Sequence, residues 1–381
     1  MPLGFLISIA PPVMRRILQN VSLSLFSFLM VFVLGELVVR VATWDFRFQN
    51  YWLEESGLFQ YTYPASFDPE LGWSPRPGFS SADNAWQTQV SINALGLRSN
   101  GSGTADPDSR YTVLACGDSF TFGDQVSDYE TWPSYLEAES GLRVANAGVF
   151  GYGLDQSFLR MKELVQELEP DWLVLSLIAD DVQRCELAER SSADKPYFQL
   201  ESDGLRLMQK HIEAPESRQR GIRYALGWSK FCSRLLYRAF PEWWLTGVWQ
   251  NRRVHDDGWA VAEALLREYA ELAREIPSVQ AGIVLLQYEK DIREEDRANL
   301  LALKQALDGE ALIWVDLFEG LEAIRRNDPE QHASYFLRHM TAAGNQWVAG
   351  ELARVLTELP SDSINQYNQV EDSLNLGQIL R

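Results

Sequence analysis

The sequence is poor in cysteine and in positive charge, and each shortage excludes a class of protein. Its 381 residues include three cysteines, Cys116, Cys185 and Cys232, with no CxxC pair. We therefore expect neither a disulfide framework nor a cysteine zinc site. Lys and Arg total 34 against 53 Asp and Glu, which gives a formal net charge of −19. Such a surface repels a phosphate backbone, so we expect no nucleic-acid partner.

The longest apolar run lies at the N-terminus. Residues 17–42 read ILQNVSLSLFSFLMVFVLGELVVRVA, and no charge occurs between Val21 and Gly35. This run is long enough to cross about 30 Å of hydrocarbon. A cleaved signal peptide is the alternative interpretation, but no A-x-A-like cleavage site follows the apolar core. We therefore predict an uncleaved transmembrane anchor.

Charges on the two flanks bear on the orientation of this anchor. Arg15 and Arg16 precede it and place the N-terminus in the cytoplasm by the positive-inside rule, whereas Arg40 and Arg47 on the other flank oppose that orientation. Glu36 lies four residues before Arg40 on one helical face, so the two can pair near the far interface. We predict that the body of the protein is extracytoplasmic, on the periplasmic side of the membrane.

The rest of the chain predicts an α/β domain. Apolar strands predicted at 111–116, 142–147, 171–178, 280–286 and 312–317 alternate with helical stretches. Continuous apolar strands spaced by helices indicate a parallel sheet covered on both faces. The predicted segments are a cytoplasmic N-terminus (1–16), the anchor (17–42), a connecting segment packed on the main domain (43–108), the main domain (109–359) with a helical insert (184–274), and a polar tail (360–381).

Polar and glycine-rich segments follow three of the predicted strands. In an open parallel sheet, ligands bind beyond the carboxyl ends of the strands. The first strand end leads to Ser119 in GDSFTFG, the second to NAGVFGYG (146–153), and the third to IADDVQR (178–184). His339, one of only four histidines, stands in HMTAAGNQWVAGEL just before the closing helix. This edge of the sheet is therefore the predicted site.

These blocks, in this order, resemble the SGNH (GDSL-like) hydrolase family over about residues 68–359. GDSFTFG matches the nucleophile block with Ser119, NAGVFG the second block with Gly151, and HMTAAGNQWVA the last block with His339. The segments LGWSPRPG and INALGLRSN look like membrane-anchored members of that family. The resemblance implies an SGNH-hydrolase-like (flavodoxin-like) fold and no metal or organic cofactor.

The activity that the resemblance implies is that of a serine esterase, O-acyl transferase or deacetylase acting on an acylated glycan, sugar or lipid. His339 would take the proton of Ser119, which attacks an ester carbonyl. The N–H groups of Ser119 and Gly151 would hold the oxyanion. Water or an acceptor sugar would then release the acyl group. The natural substrate and the oligomeric state stay open at this point.

The oxyanion donor is the first departure from the family pattern. The family's third block is G-x-N-D, and its Asn donates to the oxyanion, whereas residues 178–181 read IADD and place Asp180 there. An ionised Asp180 has no donor and would repel the oxyanion. Losing such a donor typically costs about a hundredfold to a thousandfold in rate. Either Asp180 is protonated, or Arg184 replaces the donor, or the site is weak.

The triad acid is the second departure. The family carries Asp three residues before the His, and that position is Phe336 in SYFLRHM. No other acid lies between Glu330 and His339, so His339 is expected to act with Ser119 as a dyad. A backbone carbonyl or an acid from elsewhere would orient it. Asp316, at the end of another predicted strand, is a candidate by position.

Structural alternatives stand beside these interpretations. Ser119 is also a common helix N-cap residue, and Gly151 a common turn residue. Asp181 is expected only to satisfy N–H groups of its loop. The aromatic run PEWWLTGVW (241–249) fits core packing or a membrane-facing patch better than a sugar site. The two departures leave a second function open, a non-catalytic protein that keeps the fold and binds glycan.

Overall fold

The computed structural model describes residues 12–54, 63–101, 109–191, 193–213, 221–245, 251–290 and 292–358. The chain divides into two compact units. The smaller unit consists of Met1–Gly57 and Glu216–Trp249, and the larger unit of Leu58–Pro215 and Gln250–Arg381. The predicted polar tail at 360–381 and most of the predicted cytoplasmic N-terminus lie outside the described residues.

The elements of secondary structure are numbered in chain order. The helices are α1 (Pro12–Thr43), α2 (Tyr51–Glu54), α3 (Ser119–Phe122), α4 (Trp132–Ser140), α5 (Leu154–Leu168), α6 (Ala179–Arg184), α7 (Ile222–Gly227), α8 (Lys230–Ala239), α9 (Pro241–Leu245), α10 (Gly258–Glu275), α11 (Glu294–Ala306), α12 (Phe318–Asn327), α13 (Pro329–Ser334) and α14 (Ala342–Glu358). The strands are β1 (Ala65–Asp68), β2 (Gly72–Pro75), β3 (Ser80–Ser81), β4 (Val90–Ser91), β5 (Val113–Cys116), β6 (Val144–Asn146), β7 (Trp172–Leu177), β8 (Leu187–Arg190), β9 (Ala193–Asp194), β10 (Tyr197–Glu201), β11 (Gly204–Met208), β12 (Arg252–Arg253), β13 (Ala281–Leu286) and β14 (Leu312–Asp316).

The larger unit is built on a parallel sheet. Its strands lie in the order β14, β13, β7, β5 and β6, and each neighbouring pair is parallel. Counted along the chain from β5, this is the order 2-1-3-4-5 of doubly wound, flavodoxin-like folds. The α/β fold class predicted from the sequence is therefore confirmed.

Helices cover the sheet, as its apolar strands require. Every residue of β7 (WLVLSL) is buried, which a strand with one face in water would not show. Helices α5, α10 and α11 form one packed group, and α4 packs against α14 in another. Residues pointing to both faces of the sheet therefore enter a core, and the carboxyl ends of the strands are left for the loops that carry polar groups.

Residues 63–101 pack on two of those loops. Trp73 Nε1 donates to the carbonyl of Phe150 at 3.0 Å, in the loop after β6. The buried Arg98 donates through Nη1 to the carbonyl of Phe122 at 2.7 Å, at the end of α3. These contacts fix the loops that follow β5 and β6.

The segment 184–274 differs from the predicted helical insert. Its first part forms strands β8 to β11, and its last helix, α10, packs on the main sheet. Strands β10 and β11 are an antiparallel hairpin in which Glu201 pairs with Gly204 across a turn at Ser202 and Asp203. The prediction overlooked this pattern, in which alternating apolar residues flank a short Asp-Gly-containing turn.

The smaller unit joins α1 to part of that segment. Helix α8 packs against α1, and α7 packs against α2. Residues 43–57, predicted as part of the connecting segment, also belong to this unit. Within the described residues, α1 holds the one candidate membrane span, Arg16–Thr43, whose mean hydropathy is 2.2 and which is not buried. A helix of this length and composition could cross a membrane, and a signal sequence passes the same test.

Candidate active site

Ser119 lies beyond the carboxyl end of β5, in the first turn of α3. Asp118 is the N-cap of this short helix, because its Oδ1 accepts from the Phe120 N–H at 2.9 Å. The alternative that Ser119 is itself the cap is therefore wrong. The Ser119 hydroxyl does not cap the helix, so it can form a hydrogen bond elsewhere.

His339 contacts this serine from the loop before α14. Ser119 Oγ lies 2.9 Å from His339 Nε2, within reach for proton transfer. The Phe120 ring packs against the imidazole with the two centroids 5.1 Å apart. Burial lowers the pKa of His339 below its ordinary value of 6.5. The ring is therefore neutral at neutral pH and can accept a proton.

Gln125 occupies the other side of the imidazole. Its Oε1 accepts from the His339 backbone N–H at 3.0 Å and lies 3.3 Å from His339 Nδ1. Because the backbone N–H can only donate, the amide atom that faces it must be the oxygen. The proton of the neutral ring therefore lies on Nδ1, and Nε2 is left as the acceptor for the Ser119 hydroxyl.

The backbone at Gln125 supports this arrangement. Gln125 adopts a left-handed conformation with φ of 71°, which an L-residue with a side chain adopts at a cost of about 1–2 kcal/mol. It follows directly on the turn in which the Gly123 and Asp124 N–H groups both bond to the Ser119 carbonyl. The same loop therefore carries the serine and the group that orients the histidine.

Arg184 joins three carboxylates on the opposite side of Ser119. Its Nη1 donates to Asp181 Oδ1 at 2.6 Å and to Asp118 Oδ2 at 3.1 Å, and its Nη2 donates to Asp180 Oδ2 at 2.8 Å. Nη1 also donates to the Tyr152 carbonyl at 2.8 Å. Asp118 Oδ2 in turn lies 3.2 Å from Ser119 Oγ, farther than the imidazole nitrogen. The guanidinium is thus committed to these acceptors rather than directed at a substrate.

The charges within this cluster differ from one carboxyl group to the next. Burial opposes ionisation of Asp180, but the Arg184 guanidinium outweighs it and lowers the pKa of Asp180 below its ordinary value. Asp180 is therefore ionised and paired, not protonated. Burial, with the nearby Asp118, raises the pKa of Asp181 well above its ordinary value. Asp181 also accepts the Ile178 N–H at 3.0 Å, as expected for a loop-satisfying residue.

Two loop glycines shape the region beside the serine. A Cβ on Gly148 would lie 2.3 Å from the Phe122 backbone nitrogen, so only glycine lets the loop after β6 approach α3 this closely. Gly151 has φ of +76°, a conformation that disfavours any other residue. Within the described residues, the N–H groups of Ser119 and Gly151 have no protein acceptor. Both donors are available to a bound group.

Arg190 lies next to Gly151. A Cβ on that glycine would come 3.3 Å from Arg190 Nε, so the guanidinium packs against this part of the loop. Burial and the charge of Arg184 lower the pKa of Arg190 to about 10, which leaves it protonated at neutral pH. Among the described residues, Arg190 has neither a hydrogen-bond acceptor nor an ion-pair partner for its side chain. Arg190 is therefore a cation with unused N–H donors beside Gly151, the predicted oxyanion glycine.

The two remaining sequence candidates do not contact the histidine. Asp316 bonds to Lys304 Nζ at 3.3 Å and to the Phe318 N–H at 3.0 Å. Phe336, where the family has its acid, is buried and packs against the Tyr288 ring. Among the residues that the structure describes, no acid bonds to the His339 ring, and an amide, Gln125, faces Nδ1 instead. Among the described residues, no group of three or more His, Cys, Asp or Glu side chains could hold a metal ion.

Sequence reasoning missed Gln125 and Arg190. Gln125 stands six residues after Ser119, two residues beyond the GDSFTFG block, and its sequence neighbourhood does not reveal the left-handed conformation that turns it to the histidine. Arg190 belongs to β8, a strand inside a segment predicted to be helical. A search for uncharged hydrogen-bond acceptors, and not only for acids, would have included Gln125.

Comparison with solved structures finds distant likenesses among esterases and lipases. A protein described as lipolytic and of the G-D-S-L family, from Desulfitobacterium hafniense, has 12% identity and a TM-score of 0.38, over 64% of this chain and 98% of that one. A catalytic mutant of an acetylxylan esterase from Geobacillus stearothermophilus has 15% identity and a TM-score of 0.37, over 64% and 93%. A lipase/acylhydrolase from Enterococcus faecalis has 13% and 0.36, over 65% and 95%. No family model and no curated protein matches the sequence.

Proposed function

We propose that this chain is a serine esterase or O-acyl transferase of the SGNH type. The observation that carries the proposal is the hydrogen-bonded series from Ser119 Oγ through the His339 ring to Gln125 Oε1. It supplies a hydroxyl, a neutral base in the required tautomer and a group that holds the base. The substrate we propose is an acylated sugar, glycan or lipid.

The reaction has two halves that use the same groups. Ser119 Oγ attacks the ester carbonyl carbon while His339 Nε2 takes the hydroxyl proton. The tetrahedral intermediate then expels the alcohol, which receives that proton from the imidazolium, and an acyl-serine remains. Water or a sugar hydroxyl, deprotonated by Nε2, attacks the acyl-serine in turn and releases Ser119.

Three donors support the oxyanion in this proposal. The N–H groups of Ser119 and Gly151 have no acceptor in the described part of the chain, as an oxyanion hole requires. Arg184 neutralises Asp180, so the carboxylate that replaces the family's Asn no longer repels the oxyanion at full strength. Arg190, beside Gly151, is the third donor and takes over the role of that Asn.

The proposed location is the outer side of the cytoplasmic membrane, with α1 as an uncleaved anchor. The support is the length and apolar surface of this helix, together with Arg15 and Arg16 before it. An acylated cell-surface glycan or lipid would meet the enzyme there.

The test is active-site labelling of the full chain with a fluorophosphonate, followed by peptide mass spectrometry. We expect an adduct on Ser119 that is absent from Ser119→Ala and strongly reduced in His339→Ala, because the probe reacts only with an activated serine. Ser80→Ala removes an exposed hydroxyl of the same unit and should label as the parent does. A folded parent chain that never labels would remove the esterase proposal and favour the non-catalytic glycan-binding alternative.

A further inference from the structure

The smaller unit contains a group of helices that is bonded to the predicted anchor. Glu36, in the last part of α1, accepts from the Ser229 hydroxyl at 2.8 Å and from the Phe231 N–H at 2.9 Å. It also accepts from the Lys230 N–H at 3.2 Å. Glu36 therefore satisfies the free N–H groups at the start of α8, where a carboxylate is favoured by the helix dipole.

Two further contacts fix the level at which α8 meets α1. A Cβ on Gly35 would lie 2.9 Å from the Phe231 ring, so α8 starts directly against the surface of α1. Lys230 Nζ bonds to Thr43 Oγ1 at 2.6 Å and to Asp45 Oδ2 at 2.7 Å. Glu36 and Thr43 are separated by about 10 Å along a helix of 1.5 Å rise per residue. The start of α8 therefore lies beside the last 10 Å or so of the span.

The chain that follows the span has the composition of a membrane interface. Trp44, Phe46 and Phe48 come directly after α1 and have exposed side chains. Phe48 stacks on Trp228, just before α8, with ring centroids 5.1 Å apart. Aromatic side chains concentrate at the level of lipid headgroups. The α7–α8 junction thus lies at the depth of this aromatic group.

Helices α7 to α9 expose large apolar side chains instead of burying them. Those exposed are Ile222 (68%), Trp228, Leu235 (52%), Tyr237, Phe240 (61%) and Trp243. Apolar side chains concentrated in this way on short helices indicate a binding surface. They continue the exposed apolar surface of α1, to which α8 is bonded.

The charge of these helices is opposite to that of the chain. Residues 221–245 contain four basic residues, Arg223, Lys230, Arg234 and Arg238, and one acidic residue, Glu242, in a protein with a net charge of −19. Basic and aromatic side chains together on short amphipathic helices are typical of segments that lie in a lipid interface.

We propose that α7, α8 and α9 lie in the interfacial layer of the membrane, packed against the end of the anchor, with phospholipid as their partner. This surface is distinct from the Ser119 site and rests on the proposed membrane anchoring by α1. Glu36 holds α8 to the span, the exposed apolar side chains enter the acyl–headgroup boundary, and the exposed Arg234 and Arg238 meet lipid phosphates.

Spin-label accessibility on the full chain in lipid nanodiscs tests this placement. In a Cys232→Ser background, whose other cysteines are buried, labels are placed by Leu235→Cys and Phe240→Cys. Both side chains are exposed, so the changes do not disturb packing. We expect collisions with oxygen to be several-fold more frequent, relative to a water-soluble nickel chelate, than at Tyr129→Cys, an exposed position of the larger unit.

Phe28→Cys, at an exposed position of α1, separates failure of the anchor from failure of the inference. If Phe28 is lipid-exposed while Leu235 and Phe240 meet the nickel chelate as freely as Tyr129, the interfacial placement is overturned and the anchor stands. If the label at Phe28 also collides freely with the nickel chelate, both the membrane anchor and the interfacial placement are overturned. Low collision rates with both reagents at Leu235 and Phe240 would mean a protein partner, such as a second copy, and would equally overturn the proposal.

Discussion

The two sides of the candidate site differ from the family pattern in opposite ways. On the base side, Phe336 stands at the sequence position of the family's acid, and an amide, Gln125, faces the imidazole instead. On the oxyanion side, an acid, Asp180, stands where the family has an amide. The first difference leaves the imidazole facing a neutral acceptor. The second adds a charge, and Arg184 is bonded to it.

This difference shows which property each position needs. Next to the histidine, the requirement met here is an acceptor that fixes the tautomer, and a neutral oxygen meets it without stabilising the imidazolium by full charge. Next to the oxyanion, the requirement is a donor, which a carboxylate cannot meet. In this chain, Arg184 is bonded to the acid that replaces the amide, and Arg190, beside Gly151, is the arginine with free donors.

Breaking the oxyanion side should have the largest effect. Arg184→Met leaves the buried Asp118 and Asp181 without their cation, and loss of one partner of a buried pair typically costs about 3–5 kcal/mol. We expect a matching fall in the free energy of unfolding, measured by urea denaturation followed by near-UV circular dichroism. Arg206→Met removes an exposed arginine paired with Glu201 and should change stability by less than about 1 kcal/mol. Equal stability of the two variants would contradict the role given to the cluster.

Restoring the family's amide at position 180 should increase the activity and tests the oxyanion side a second time. Asp180→Asn supplies a neutral donor and leaves Arg184 with Asp118 and Asp181. Since one oxyanion donor is typically worth about a hundredfold to a thousandfold, we expect kcat for an activated acetyl ester to rise by about tenfold or more. Arg190→Gln should lower kcat instead. A fall in kcat for Asp180→Asn, with Ser119 labelling retained, would mean that the carboxylate has a positive role that we have not assigned to it.

Placing an acid beside the histidine, by Gln125→Glu, should have a smaller effect, which is best seen in the dependence of kcat/KM on pH. In the parent, burial lowers the pKa of His339, so activity needs the neutral ring and is lost only as pH falls below 6.5. A carboxylate in Gln125→Glu favours the imidazolium and raises that pKa. The acidic limb of kcat/KM then moves to higher pH.

The control for this change is Gln199→Glu, which adds the same charge at an exposed position of β10. Its acidic limb should coincide with that of the parent. If Gln125→Glu also leaves the limb in place, the carboxylate does not reach His339 Nδ1, and Gln125 is not the group that orients the base.

Some of this arrangement was predictable from local sequence. The apolar runs place all five strands of the main sheet within a few residues, because burial on both faces requires continuous apolar residues. The choice of Ser119 and His339 follows from their sequence blocks, and the two side chains lie in hydrogen-bond contact. The strands of residues 187–208 fall in the segment predicted as a helical insert, because the alternation in YFQLE and GLRLM is too short to stand out in the sequence.

The apolar anchor run, the order of strands and helices, and the position of Ser119 beyond a buried strand follow from the amino-acid sequence alone, since each depends on neighbouring residues. The partners of His339 and Asp180 depend instead on contacts between distant segments. Gln125 and His339 are 214 residues apart, and their contact depends on one left-handed residue and on the packing of two distant loops. Likewise, Arg184 balances carboxylates from two segments, and Glu36 meets a helix that begins 194 residues later. Hydrogen-bond partners of this kind are set by the folded chain, because periodicity reports which residues are buried and not which ones touch.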